Sequence, residues 1–187
     1  MPLGSSRFGL LGAVASGDLE LISSQSATTG DSVMDFSDIK ESNYKAHLLT
    51  YTNYQPNTDS KELGIRFFEN GTLESDTVYQ FGYKYMDTGT ANSLTTSYNR
   101  IRAVYSTGNA AGESGSGHSW FYELGGSSTQ SYQNMMHGQI HNTGGFRVVF
   151  GGGYMPQFSN VDGIRLFPVS GTIDALDASL YGLKLWV

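Results

Sequence analysis

Histidine, aspartate, glutamate and serine are the residue types in this chain that could hold a metal ion or catalyse a reaction. His137 and His141 form the only close histidine pair. On a helix their spacing would place both rings on one face, as in zinc sites. Gly138 and its neighbours favour a strand instead, in which positions four apart are separated by about 13 Å. One metal ion cannot bridge that distance, so we predict no metal site and no cofactor.

Carboxylates occur in two groups that could in principle cleave a glycan. Pairs of carboxylates about 5 to 9 Å apart perform glycoside hydrolysis. A glycan-cleaving enzyme is therefore one alternative for the function of this chain, ranked below the two structural roles given at the end of this section. Both groups lie in turn-rich segments, where aspartate usually accepts hydrogen bonds from backbone amides, and we interpret them as turn residues. The groups are Asp31, Asp35, Asp38 and Glu41, and then Asp174 and Asp177.

Two glycine-rich segments superficially resemble catalytic motifs. Ser114 and Ser116 lie in GESGSGHS, but no apolar strand precedes them to hold the strained turn of a nucleophile elbow. The glycines at 151–153 are followed by neither a P-loop lysine nor a helix. We therefore predict no catalytic residue and no enzymatic activity.

Aromatic side chains are the remaining candidates for binding. Trp120, Tyr122, Tyr132, Tyr154 and the tyrosines near 98 and 105 could stack on sugar rings, pack against a partner or belong to the core. The Gly/Ser-rich segment 106–119 is predicted to be a long surface loop. If a glycan is bound, this loop would frame the site, with Asn109, Glu113, Trp120 and Tyr122 as its residues.

Composition limits the partners. The chain has 17 acidic and 11 basic residues, a net charge of −6, and no cysteine. The basic residues are spread along the sequence, so the phosphate backbone of a nucleic acid would be repelled. No apolar stretch approaches the ~20 residues that a membrane span requires. We predict neither nucleic acid nor membrane as a partner.

The 24 glycines, 10 phenylalanines and 12 tyrosines accompany short apolar runs bounded by turn residues, as in folds of many short strands. We predict an all-β fold: a jelly-roll-like antiparallel β-sandwich over residues 18–187, of about nine or ten strands, with an extended N-terminal arm over residues 1–17. Asn70 and Gly71 predict a tight hairpin turn. The clearest strands are 45–54, 63–68, 79–86, 146–150 and 180–187.

Alternation along the strands predicts which side chains share a face. Over 45–54, Tyr54 shares a face with Leu48 and not with Tyr51. Over 79–86, one face is an aromatic ladder, which belongs to the core or to the interface of an oligomer. The ladder consists of Tyr79, Phe81, Tyr83 and Tyr85.

The closing strand is predicted to be central in its sheet and not an edge. Its apolar side chains alternate with Gly182 and Lys184, so we expect the apolar face to be the buried one. That face consists of Tyr181, Leu183, Leu185 and Val187.

The N-terminal arm is predicted to bind a partner. Glycines interrupt its apolar residues and prevent a stable helix. Exposed apolar residues on an arm favour docking, either on the chain's own sandwich or on a neighbouring subunit. The predicted contact residues are Leu3, Phe8, Leu10, Leu11 and Val14.

Several longer segments resemble a family of bacteriophage virion structural proteins. They are LGIRFFENG at 63–71, SYQNMMHGQIHNTGG at 131–145 and VDGIRLFPVSGTIDALDASLYGLK at 161–184, and the opening GSSRFG at 4–9 is also similar. The closing motif combines GTID at 171–174 with LYGL at 180–183. The resemblance covers most of the chain from Val33 onward.

This resemblance implies a jelly-roll-like sandwich assembled on a virus particle, often as a homotrimer. Under this interpretation the protein is a non-enzymatic capsid decoration or cement protein on the particle surface, bound to the major capsid protein or to another virion protein. The alternative is a tail-fibre or tail-tip module that binds a host-surface glycan. The chain carries no stalk of repeats or coiled coil, which favours decoration.

Overall fold

The computed structural model of the chain describes residues 19–141 and 144–184, and the predicted arm lies outside them. The described residues form strands and no helix. Accordingly, this part of the chain contains no helix that is long and apolar enough to cross a membrane. The strands are β1 (Leu19–Asp31), β2 (Met34–Ser37), β3 (Ala46–Pro56), β4 (Lys61–Glu69), β5 (Thr72–Leu73), β6 (Tyr79–Met86), β7 (Thr90–Tyr98), β8 (Ile101–Thr107), β9 (Gly115–Tyr122), β10 (Ser131–Ile140), β11 (Phe146–Met155), β12 (Val161–Pro168) and β13 (Ile173–Leu183).

The strands pair antiparallel in two sheets. The large sheet has the order β1-β13-β3-β9-β10-β11-β6-β7, and the small sheet has the order β2-β12-β4-β5, with β8 also paired to β4. The sheets enclose a core whose fully buried side chains include Leu49, Phe67, Phe121, Ile164 and Leu180. The predicted all-β, jelly-roll-like antiparallel sandwich is confirmed. We call the core-facing side of the large sheet its inner face and the opposite side its outer face.

The closing strand β13 is internal, as predicted, because it pairs with β1 and β3. The predicted buried face is wrong for Tyr181 and Leu183, and Leu185 and Val187 lie outside the described residues. Leu176, Ala178 and Leu180 are the buried members, and Tyr181 and Leu183 are only partly buried on the other face. Gly182 belongs to the inner face because the Tyr44 ring lies there, 2.3 Å from where a Cβ would be.

A bulge in β3 changes the predicted faces of that strand. Asn53 has a φ of 55°, and the pairing of β3 with β9 shifts register between Tyr51 and Tyr54. The extra residue turns the following side chain by one position. Tyr54 is therefore buried on the same side as Tyr51, whereas simple alternation placed it with Leu48.

Half of the Gly/Ser-rich segment 106–119 is strand, and the loop within it is shorter than predicted. The loop covers only residues 108–114, and β9 begins at Gly115. Gly117 is required by a close approach, since a Cβ there would lie 2.4 Å from the His137 Cβ on β10. Glycine within this run thus allows tight strand packing. The predicted turn at Asn70 and Gly71 is confirmed, with φ of 49° and 79°, the positive values that a type I′ hairpin requires.

Candidate binding site

The four residues predicted for a glycan site lie at two separate places. In the loop after β8, the Asn109 side chain donates to the backbone of the β3–β4 turn (3.1 Å) and Glu113 accepts from an amide of its own loop (2.9 Å). Trp120 and Tyr122 lie on β9, five and seven residues beyond its first residue, which is roughly 17 Å or more along a strand. The structure therefore does not bring these four side chains together.

The outer face of the large sheet carries the even-numbered residues of β6, β9, β10 and β11. Their odd-numbered neighbours, such as Phe81, Phe121, Met135 and Val149, are buried, so the even-numbered side chains point away from the core. Strand register aligns these side chains in rows across the sheet. One row consists of Trp120, Asn134, Gly152, Gly82 and Leu94.

A groove crosses the outer face where two glycines meet in this row. Gly82 on β6 pairs directly with Gly152 on β11, so the layer of side chains is interrupted at two adjacent positions. The resulting groove has a volume of about 410 Å³. The described residues that line it are all uncharged: Gln80, Phe81, Gly82, Leu94, Gln130, Tyr132, Gln133, Asn134, Gly152, Gly153 and Tyr154.

Aromatic and aliphatic side chains form the walls of the groove. Tyr132 on β10 stacks on Tyr122 of β9, with ring centroids 5.0 Å apart and planes 21° apart. Tyr122 covers one face of the Tyr132 ring, yet the residue is 42% exposed, so its other face is open on the groove side. Tyr154 is the register partner of Tyr132 on β11, and Leu94, 77% exposed, forms the opposite wall.

The groove also presents uncommitted hydrogen-bonding groups. The side-chain amides of Gln80, Gln130 and Asn134 form no hydrogen bond within the described part of the chain, and neither do the hydroxyls of Tyr132 and Tyr154. The Asn134 Oδ1 atom lies over the floor, 3.0 Å from where a Cβ on Gly152 would be. These groups are available to a ligand, because amides and phenols both donate and accept.

Beside the groove, the outer face carries an exposed apolar surface. Met136 pairs with Phe150, and Val148 pairs with Met86 in the next row. Phe146, 61% exposed, leans over Gly138 so that a Cβ there would lie 3.3 Å from its ring. We call Met86, Met136, Phe146, Val148 and Phe150 the apolar patch.

The aromatic ladder lies on the inner face and is closed off within the chain. Tyr79 and Phe81 are buried in the core, which is the first of the two predicted alternatives, so these two side chains are not available as interface residues. Tyr83 and Tyr85 are half-buried, and their rings are covered by Tyr105 of β8 at 5.6 Å from each. The ladder therefore offers little surface to a second copy.

Guanidinium groups seal this part of the inner face. The Arg102 guanidinium lies 4.4 Å from the Tyr83 ring centroid and 4.5 Å from that of Tyr105. Arg100 and Arg102 share Glu62 as their carboxylate partner. All three side chains are largely buried, so these charges are paired within the fold and are not exposed to a ligand.

The histidine pair does not form a metal site. His137 is buried, and its Nε2 lies 3.3 Å from the Tyr105 amide nitrogen and 3.1 Å from Gln139 Oε1. Burial lowers the pKa of His137 to about 3, so the ring is neutral at physiological pH. His141 follows β10 and forms a bridge with Thr107. Among residues 19–141 and 144–184, no group of three His, Cys, Asp or Glu side chains is placed to hold a metal ion.

The first carboxylate group lies around one cavity, whose lining includes Asp35, Asp38 and Glu41, and several carboxylates of both groups have defined hydrogen-bond partners. Asp35 accepts two hydrogen bonds from Arg165 (2.7 and 2.5 Å). Asp31 accepts from the Thr28 amide (2.8 Å), and Asp177 accepts from the Ser26 hydroxyl (2.6 Å). Asp31, the last residue of β1, matches the interpretation as a turn residue. That interpretation is wrong for Asp35 in β2 and for Asp174 and Asp177 in β13, because these residues lie within paired strands.

The sequence indicated part of this groove. Tyr132 and Tyr154 were among the aromatic candidates, but the amides, Leu94 and the glycine floor were missed. The sequence feature that could have indicated the floor is glycine within predicted strands, in QFGYKY and VFGGGY. Glycine inside a strand marks a position that has no side chain or that another group approaches closely. Comparison of the chain with protein-family models, with curated proteins and with solved structures finds no match.

Proposed function

We propose that this chain is a non-enzymatic structural protein of a bacteriophage particle, a decoration protein that attaches to the capsid surface. The phage assignment is supported by the resemblance of segments 63–71, 131–145 and 161–184 to virion proteins. The single structural observation that supports attachment is the apolar patch on the outer face.

The size of the patch is informative. Met86, Met136, Phe146 and Phe150 are 43%, 51%, 61% and 42% exposed. At ~200 Å² for each large side chain, their exposed parts amount to roughly 400 Å². Isolated exposed apolar residues are common, but a contiguous patch of this size is often a binding surface.

The patch alone is smaller than a stable interface. A specific complex buries about 800 Å² on each partner, and the patch supplies about half. A second contact is therefore needed, and the predicted arm, with Leu3, Phe8, Leu10, Leu11 and Val14, would provide it. Two linked contacts bind far more tightly than either alone, because the second forms at high effective concentration.

The proposed partner is the major capsid protein or another virion protein, and the proposed location is the surface of the particle. The homotrimer implied by the family resemblance stays a prediction. It would need a surface other than Tyr79 and Phe81, since both are buried within one chain.

Particle occupancy tests the proposal. Phage particles that carry Met136→Ser together with Phe150→Ser should lose most of this protein, measured as copies per particle by quantitative mass spectrometry. A chain that begins at Gly17 should also be lost. The matched control is Leu21→Ser, which removes an apolar side chain of similar exposure, 59%, at the sheet edge far from the patch. Normal occupancy of both test variants would contradict the proposal.

A further inference from the structure

The groove over Gly82 and Gly152 lies beside the apolar patch, and none of the residues that line it belongs to that patch. Its volume of about 410 Å³ falls within the range of small-molecule sites, about 300–1,000 Å³. It is open along the sheet surface, and no charged residue of the described ranges 19–141 and 144–184 lines it. We propose that this groove is a binding site for a neutral saccharide.

The walls of the groove match the two kinds of surface that a sugar ring presents. One is the apolar C–H face of the ring, which stacks on an aromatic side chain. The open face of Tyr132 is held in place from behind by Tyr122, at 5.0 Å, so no ordering of this ring is required on binding. A preorganised wall lowers the entropic cost of association.

The other surface of a sugar ring is its edge, which carries hydroxyl groups. Side-chain amides in the groove can form hydrogen bonds with these hydroxyls. Gln80, Gln130 and Asn134 line the groove and form no hydrogen bond with the described residues. Each amide can donate and accept at once, as a hydroxyl can. A ligand that paired them would exchange hydrogen bonds to water for direct ones without burying an unpaired charge.

The glycine floor determines how closely a ligand can approach the sheet, and the span of the groove determines how long that ligand can be. Because Gly82 and Gly152 are adjacent across β6 and β11, a ring can approach the backbone in the gap between Asn134 and Leu94. From Tyr132 on β10 to Leu94 on β7 the groove crosses three strand spacings, about 14 Å. This span accommodates a disaccharide or trisaccharide lying across the strands.

The lining favours a neutral sugar over an acidic one. Among the described residues, no Lys or Arg lines the groove to pair a carboxylate, and the chain has a net charge of −6, which repels anions at long range. An uncharged hexose oligomer is therefore the ligand that these groups would recognise.

The test uses the full chain and defined sugars. Gluco-, galacto- and manno-trisaccharides, with a sialylated trisaccharide for comparison, are titrated while amide NMR shifts and the fluorescence of Trp120, the row neighbour of Asn134, are recorded. At least one neutral trisaccharide should bind saturably, with its shifts centred on β6, β10 and β11. The sialylated sugar should bind more weakly.

Gly82→Val fills the groove without disturbing the fold. A Cβ at Gly82 meets Leu94 Cδ1 at an ordinary 3.4 Å, and valine favours strands more than glycine does. The matched control is Gly89→Val, in the β6–β7 turn, where a Cβ meets nothing within 4 Å. We expect Gly82→Val to abolish binding, Tyr132→Ala to weaken it about tenfold or more, and Gly89→Val to leave it unchanged.

Two results would overturn the proposal: no shift with any trisaccharide, or full affinity in a folded Gly82→Val protein. The patch variant Met136→Ser with Phe150→Ser should keep its sugar affinity even if it no longer attaches to particles. The proposal of a saccharide site and the proposal of a decoration role can therefore be refuted independently of each other.

Discussion

Removal of the Glu62 carboxylate should be among the most damaging single changes to the stability of this protein. Glu62 accepts from Arg100 Nη2 at 2.9 Å and also from Arg102. The Arg side chains are each 8% exposed and that of Glu62 is 17% exposed. Glu62→Ala would leave two guanidinium groups buried without their carboxylate, and breaking such a buried pair costs about 3 to 5 kcal/mol.

The magnitude is expected at the low end of that range for a structural reason. Arg100 keeps hydrogen bonds to Tyr98 (2.7 Å) and Asn99 (2.9 Å), so it retains partners. In Arg102, Nε and Nη1 have no hydrogen-bond partner in the part of the chain that the structure describes, so this side chain depends on Glu62 and on its ring contacts. A loss of about 3 kcal/mol lowers the Tm of a chain of this size by roughly 6–12 °C.

Thermal and urea unfolding of Glu62→Ala would measure the loss. The control is Lys184→Gln, which removes one charge from an exposed pair with Glu20 and should change stability by less than about 1 kcal/mol. Adding Arg102→Met to Glu62→Ala should recover part of the loss, because the uncompensated charge is removed. The reasoning is refuted if Glu62→Ala costs no more than Lys184→Gln, or if the double variant is less stable than the single one.

Two further predictions concern pH and packing. Burial holds the folded-state pKa of His137 at about 3 and unfolded histidine titrates near 6.5, so the unfolded chain binds more protons between these values and stability falls as pH falls from 6.5. The free energy of unfolding, measured with urea, should therefore fall between pH 7 and pH 5.5, and this fall should be about 1 kcal/mol smaller in His137→Gln than in the unchanged chain. Equal falls in the two proteins would show that His137 does not cause the pH dependence. Gly182→Ala should cost about 1–3 kcal/mol, because its Cβ would lie 2.3 Å from the Tyr44 ring. Tyr44→Ala in the same chain should relieve most of that cost in a double-mutant cycle, and strict additivity would contradict the clash.

The sequence by itself determined the fold class and several local features. Period-2 apolar runs between turn residues predict strands from backbone geometry alone, and the strands at 45–54, 63–68 and 79–86 are present. The Asn70–Gly71 turn was also predictable, since positive φ at both positions suits few other residues. Such features depend on neighbours in the chain, which the sequence displays directly.

Only the tertiary structure decided which face of a strand is buried and which residues meet. One extra residue at Asn53 reverses the alternation for Tyr54, and no local pattern marks a bulge before its partner strand is known. The groove depends on Gly82 and Gly152, 70 positions apart, being paired in register. The aromatic ladder is closed off because β8 brings Arg102 and Tyr105 over it. Pairing between distant strands sets these contacts, and a strand's own sequence fixes its period but not its partner.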